Sequence, residues 1–132
     1  MSSLVVRQLF EAWLQDAAMA VPYYPTVNMV QDPTDDIWCT AEFGSTYRDT
    51  LTFCDGAKIE DGEVELVYFG PPGEGDSAIL TAMEADLAVL MQQTDPSGRL
   101  VLLNRSAPFE YSGGTADQQY AVSCFVEYQY FY

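Results

Sequence analysis

The sequence contains no histidine, and its 132 residues include only five basic side chains, Arg7, Arg48, Lys58, Arg99 and Arg105. The first absence removes the side chain that most often serves as general base and metal ligand near neutral pH. No Ser-His or Cys-His arrangement can be built, and a Ser-Lys dyad would have to recruit Lys58. The scarcity of positive charge excludes a second class. Nucleic-acid binders gather Lys and Arg into a patch that displaces counterions from phosphates. Here twenty Asp and Glu leave a formal net charge of −15, so the chain repels a polyanion.

Other features are sparse or missing. The three cysteines, Cys39, Cys54 and Cys124, are scattered and odd in number. That argues against a disulfide framework and for small apolar residues in a reducing compartment. No apolar run approaches the ~20 residues of a membrane span. The N-terminus lacks the basic flank and apolar stretch of a signal peptide. These traits lead to the expectation of a soluble intracellular protein with no membrane contact. Without a secretory signal, the match of Asn104-Arg105-Ser106 to a glycosylation acceptor is read as chance.

What is present suits one globular domain spanning 1–132. Hydrophobic residues make up 48% of the chain. Aromatics reach 14%, nine of them Tyr, which favours strands or subunit contacts. Val6, Phe10, Trp13 and Ala17 recur at helical spacing, which predicts a first helix capped by Ser2 or Ser3 and running to about Met19. Val21-Pro22 ends it. Tyr24 to Val30 reads as a short extended segment, and Gln31 to Asp36 as an acidic loop.

Period-two alternation places Ile37, Cys39, Ala41 and Phe43 opposite Trp38, Thr40 and Glu42 on a strand. Tyr47 to Cys54 reads as another strand, with Leu51 and Phe53 on one side. Asp55-Gly56 and Asp61-Gly62 bracket a turn region leading into a strand from Glu63 to Phe69. On that strand Val64, Leu66 and Tyr68 face one way and Glu63, Glu65, Val67 and Phe69 the other. The second face is half apolar, which predicts a central strand. Gly70-Pro71-Pro72-Gly73-Glu74-Gly75 then breaks the sheet.

Asp76 or Ser77 can cap a second helix to about Gln93, with Leu80, Met83, Leu87, Leu90 and Met91 as its apolar stripe. Ala78, Ala82, Ala85 and Ala88 form a close-packing flank. Leu100 to Asn104 reads as a strand, Ser106 to Ala116 as an irregular or hairpin segment, and Tyr120 to Tyr132 as a strand of clean alternation. The expected fold class is α+β: a mostly antiparallel or mixed β-sheet packed with two main α-helices.

Three motifs invite a chemical reading, and each has a plainer one. The glycine loop before the second helix lacks the Lys-Ser/Thr pair of a phosphate-binding loop. Its Glu74 and Asp76 would oppose an anion at the helix N-terminus. Glu63 and Glu65 are about 7 Å apart by strand rise, a separation seen in glycosidase pairs. Such pairs flank a cleft from different elements, so an acidic channel-facing or solvent face is the better reading. Asp32, Asp35 and Asp36 do not match a calcium loop. No catalytic, cofactor or metal site is expected.

The order of landmarks is distinctive as a whole. A short helix precedes Tyr24-Pro25-Thr26-Val27-Asn28, then comes the Pro33 loop and the strand Ile37 to Phe43. The run from Gly62 through Glu63-Val64-Glu65-Leu66-Val67-Tyr68-Phe69 to Gly70-Pro71-Pro72-Gly73-Glu74-Gly75 leads into an alanine-rich helix. Leu100 to Asn104, Pro108 and a closing aromatic strand complete it. This series resembles the tail-terminator-like proteins of long-tailed bacteriophages, the lambda-type tail completion family.

The resemblance implies a small α+β subunit that forms a hexameric ring. Such a ring caps the tail tube at the head-proximal end of the virion tail, after assembly in the bacterial host cytoplasm. It implies contacts with like subunits, with the tail tube protein and with head-completion or connector proteins. Genomic DNA passes through without specific binding. Asp32, Pro33, Asp35, Asp36, Pro71, Pro72 and Glu74, in the two proline loops, are the candidate subunit or partner contacts. Glu63 and Glu65 are the candidate channel or solvent face. Other expectations are a different head–tail connector or tube subunit, or an acidic mimic of DNA that inhibits a basic protein.

Overall fold

A computed structural model of the chain describes residues 4–16, 19, 21–23, 37–43, 47–50, 58–70, 77–110 and 120–131. Helix α1 covers Leu4–Leu14. Strands β1 (Trp38–Phe43), β2 (Tyr47–Thr50) and β3 (Lys58–Gly70) follow, then α2 (Ser77–Leu90). Strands β4 (Leu100–Arg105), β5 (Phe109–Glu110) and β6 (Tyr120–Phe131) complete the α+β domain.

All pairings between the described strands are antiparallel, and two long strands organise the sheet. β3 and β6 pair without a break from Ile59↔Phe131 to Gly70↔Tyr120. Along the other edge of β3, β1 and β2 lie end to end, at Phe69 to Val64 and at Asp61 to Lys58. Along the other edge of β6, β4 and β5 do the same, with a register shift between Leu102 and Arg105. Each long strand is therefore flanked by its long partner on one side and by two short strands on the other.

The helices cover one face of this sheet. Val6, Phe10, Trp13 and Leu14 of α1 are buried against it. Phe10 meets Trp13, Phe43 and Tyr128 edge-on, with centroids 5.5, 6.0 and 5.7 Å away. The Arg7 guanidinium lies over the Phe43 ring, 4.9 Å from its centroid. From the sheet come Cys39, Ala41, Val64, Leu66, Tyr68, Val122, Cys124, Val126, Tyr128 and Tyr130, the alternate residues of three strands. Each fully buried side chain of this size contributes about 1.5–3 kcal/mol.

Several boundaries differ from the expectations. α1 ends at Leu14 rather than near Met19, because Asp16 N–H bonds to Trp13 three residues back and tightens the last turn. α2 ends at Leu90, and Gln92 and Gln93 close with the same kind of turn. Its buried stripe is Ile79, Met83, Asp86, Leu87 and Leu90. Ala78, Ala85 and Ala88 are exposed, so they are not the packing flank.

Asp61-Gly62 is not a turn; it lies inside β3, opposite Gln129 and Tyr128. The local sequence suits a hairpin, yet twelve consecutive pairings with β6 outweigh that preference. The end of β3 needs a glycine for a different reason. A Cβ on Gly70 would come within 2.5 Å of Ile79 Cδ1, in the first turn of α2.

The candidate site: an acidic sheet face

The face of the sheet away from the helices divides along its length. Toward one end, Trp38 stacks on Phe69 with centroids 4.2 Å apart and planes 11° from parallel. Val67 and Ala121 complete a small buried cluster there. Ser123 beside them is fully buried, and its hydroxyl has no hydrogen-bond partner among the described residues. Farther along β6, Phe125 stacks on Phe109 at 5.2 Å.

Toward the middle of the long strands the face is acidic. Glu42 and Glu65 are register partners across β1 and β3, and Glu63 and Glu127 across β3 and β6. Glu42, Glu63 and Glu127 are exposed and Glu65 is half-buried. Partial burial, together with the charges of Glu42 and Glu63, raises the Glu65 carboxyl above its ordinary range. Four carboxylates from three adjacent strands thus share one patch. Sequence reading identified Glu63 and Glu65, but Glu42 and Glu127 join them only through cross-strand register.

The covered face also holds carboxylates. The Tyr68 hydroxyl donates to Asp86 Oδ2 at 2.7 Å, and the Tyr128 hydroxyl donates to Glu60 Oε2 at 3.0 Å. Glu60 is fully buried and Asp86 nearly so. Burial, reinforced by Asp86, pushes the Cys39 thiol up to about 12. The Tyr68 phenol is raised by burial first, and by Cys39 and Asp86. Both groups therefore keep their protons near neutral pH, so Cys39 is not poised as a nucleophile. The phenol–carboxylate pairs satisfy buried polar atoms.

Neither Glu60 nor Asp86 was singled out from the sequence, although signals for both exist. Asp86 falls three residues after Met83 and four before Leu90, on the apolar stripe. Glu60 is in phase with Val64, Leu66 and Tyr68 once β3 is extended past Gly62.

Outside the sheet faces, Arg105 clasps Glu84 on the exposed side of α2 with two bonds of 2.6 and 2.8 Å. Those bonds hold the Glu84 carboxyl below its ordinary range. The loop into β4 is organised by Asp95. Its carboxylate accepts from the Ser97 hydroxyl at 2.6 Å and from the N–H groups of Ser97, Arg99 and Leu100. Gly98, with φ at +72°, supplies the left-handed residue this loop needs. An open recess of about 360 Å3 lies between this loop and α1, lined in part by Val5, Leu9, Arg99 and Tyr130.

Asp32, Pro33, Asp35, Asp36, Pro71, Pro72 and Glu74 lie outside the described residues, as do Cys54, Leu51 and Phe53. Cys39 and Cys124 are free and buried. Among the described residues no group of three or more Cys, Asp and Glu is arranged to hold a metal ion. No described helix is long and apolar enough to cross a membrane. Comparison with family models and with curated proteins returned no match.

Proposed function

We propose that this chain is a structural subunit of a long-tailed phage. In this reading it forms a ring, of six copies by the family resemblance, that caps the tail tube. The ring ends tube elongation and presents a joining surface to the head. The observation that carries the reading is the acidic patch on the open sheet face, where Glu42, Glu63, Glu65 and Glu127 lie together by register. A channel wall of this kind lets a polyanion pass without adhering, because like charges repel and no counterions are released. The whole-chain order of landmarks supports the same reading.

A terminator must also stop a polymer. A closed ring satisfies its lateral contacts and offers the tube one matching face, while its other face must differ, since an identical one would let the tube continue. The test is a phage carrying a nonsense mutation in this gene, examined by electron microscopy. The expected result is over-long or irregular tails unattached to filled heads. Tails of normal length joined to heads would overturn the proposal, and heads without any tails would point to an earlier structural role.

A further inference from the structure

The large exposed apolar side chains among the described residues are Leu4, Val5, Val101 and Leu103. Three of them, Val5, Val101 and Leu103, lie toward one border of the molecule. Val101 and Leu103 stand on β4, and Val5 shares the open recess with Arg99, the residue that leads into β4. Residues 96–109 contain two arginines and no carboxylate in a chain of net charge −15. Arg105 is neutralised by Glu84, whereas Arg99 is exposed and forms no ion pair with a described carboxylate. Here a second acidic chain meets the least repulsion.

This border is also an open sheet edge. β4 pairs with β6 on one side and with no described strand on the other. At the far side of the sheet, β1 is partly covered, because Tyr23 bridges to Cys39 and the Cys39 N–H donates to the Pro22 carbonyl at 3.0 Å. β2 pairs with β3 and with no other described strand. An exposed edge with apolar residues is a template for another strand.

The register shows which strand fits. Residues at one level of the sheet run Tyr47↔Asp61, Asp61↔Gln129 and Gln129↔Val101. At the next level of the same parity, Asp49 pairs with Ile59, Ile59 pairs with Phe131, and the Phe131 N–H donates to the Arg99 carbonyl at 2.8 Å. β2 and the start of β4 thus stand at the same height on opposite sides of the sheet. The strands alternate in direction across the sheet, so β2 of a neighbouring copy set beside β4 would run antiparallel to it. Antiparallel pairing is the more stable geometry.

We propose that the open edge of β4 receives β2 of a second copy of this chain, continuing the sheet across the subunit boundary. A copy rotated about an axis parallel to the strands keeps the levels aligned. Asp49 of that copy then falls at the register position beside Arg99, and its Tyr47 beside Val101. The contact is heterologous, since β4 of one copy meets β2 of the next, and repeats around a ring. It rests on the ring reading above and assigns that ring its lateral interface.

Disulfide trapping tests the pairing. Residues directly opposite on adjacent strands have Cβ atoms close enough to bridge with little adjustment. The double variant Tyr47→Cys/Val101→Cys, oxidised with copper–phenanthroline, is expected to give a ladder of linked subunits on non-reducing gels. Each single variant is expected to stay unlinked. Dimers from Val101→Cys alone would mean that β4 pairs with itself across a two-fold axis, which overturns the proposal.

Charge exchange is a second test that leaves the apolar residues untouched. Arg99→Asp is expected to weaken association up to about fivefold per contact, the range of one exposed ion pair. Asp49→Arg in the same chain restores it. Rings seen by native mass spectrometry, with neither linking nor charge effect, would overturn this interface and leave the ring reading intact. Linked chains that never close would support the interface and overturn the ring. A chain that stays monomeric throughout overturns both.

Discussion

On the covered face of the sheet, Glu60 is fully buried with the Tyr128 hydroxyl 3.0 Å from its carboxylate, while on the open face Glu63 and Glu127 lie opposite each other in solvent. The same strands carry both arrangements, separated only by the alternation of side chains. Under the helices a carboxylate is accommodated by a phenol, because desolvation without a hydrogen bond costs several kcal/mol. On the open face water does that work, and the cost becomes repulsion between register partners. Acidity in this protein therefore has two separate roles. Covered carboxylates are part of the packing, and open ones shape the field outside the protein.

Three substitutions along β3 sharpen this contrast. The largest effect is expected from Leu66→Ala, where a side chain 1% exposed is cut back beneath the helices. A loss of about 2–5 kcal/mol is expected from urea denaturation followed by circular dichroism. A loss no greater than that of an exposed residue would mean that the covered face does not carry the stability.

Tyr68→Phe comes next. It deprives Asp86 of a 2.7 Å hydrogen bond in a nearly dry site, with an expected cost of about 1–3 kcal/mol. Adding Asp86→Leu to that variant should recover part of the loss, since the buried carboxylate that lost its phenol donor is then removed as well. Failure to recover would break the idea that the phenol is there for the carboxylate.

The smallest effect belongs to Glu65→Gln on the open face, and its sign is opposite. The folded chain raises this carboxyl above 4.5, so the folded state holds the proton more tightly than the unfolded state. Its destabilising contribution is absent below that value and is fully present once pH has risen past the raised one. The variant is expected to gain less than about 1 kcal/mol at pH 7, the scale of one like-charge pair across strands. The gain should shrink as salt rises and vanish in acid. Thermal melts at pH 4 and pH 7, at low and moderate salt, check each part.

Much of the covered face was legible from period two alone. Val64, Leu66 and Tyr68, and Val122 to Tyr130, alternate cleanly because one side of each strand meets helices. Residues on the second side of β3 also revealed it as central, since Val67 and Phe69 interrupt the glutamates. What could not be read is what depends on pairing partners distant in sequence. The acidic patch needs Glu42 and Glu127 brought to Glu65 and Glu63 by register. The interior position of Asp61-Gly62 needs β6, which local turn chemistry does not encode. Glu60 was hidden by that same misplaced turn, and Asp86 because the α2 stripe is traced by its apolar residues alone.

The pairing of β3 with β6 also governs the order in which the fold can form. Some fifty residues, including α2, β4 and β5, separate the two strands in the chain. During synthesis β3 is therefore made well before the strand that saturates its long edge from Ile59 to Gly70. Loop closure on that scale makes folding slow compared with that of a helical bundle. While it waits, the nascent sheet offers an unpaired, largely apolar edge that is open to misassociation. Repulsion among many carboxylates then helps to keep incomplete chains apart until β6 arrives.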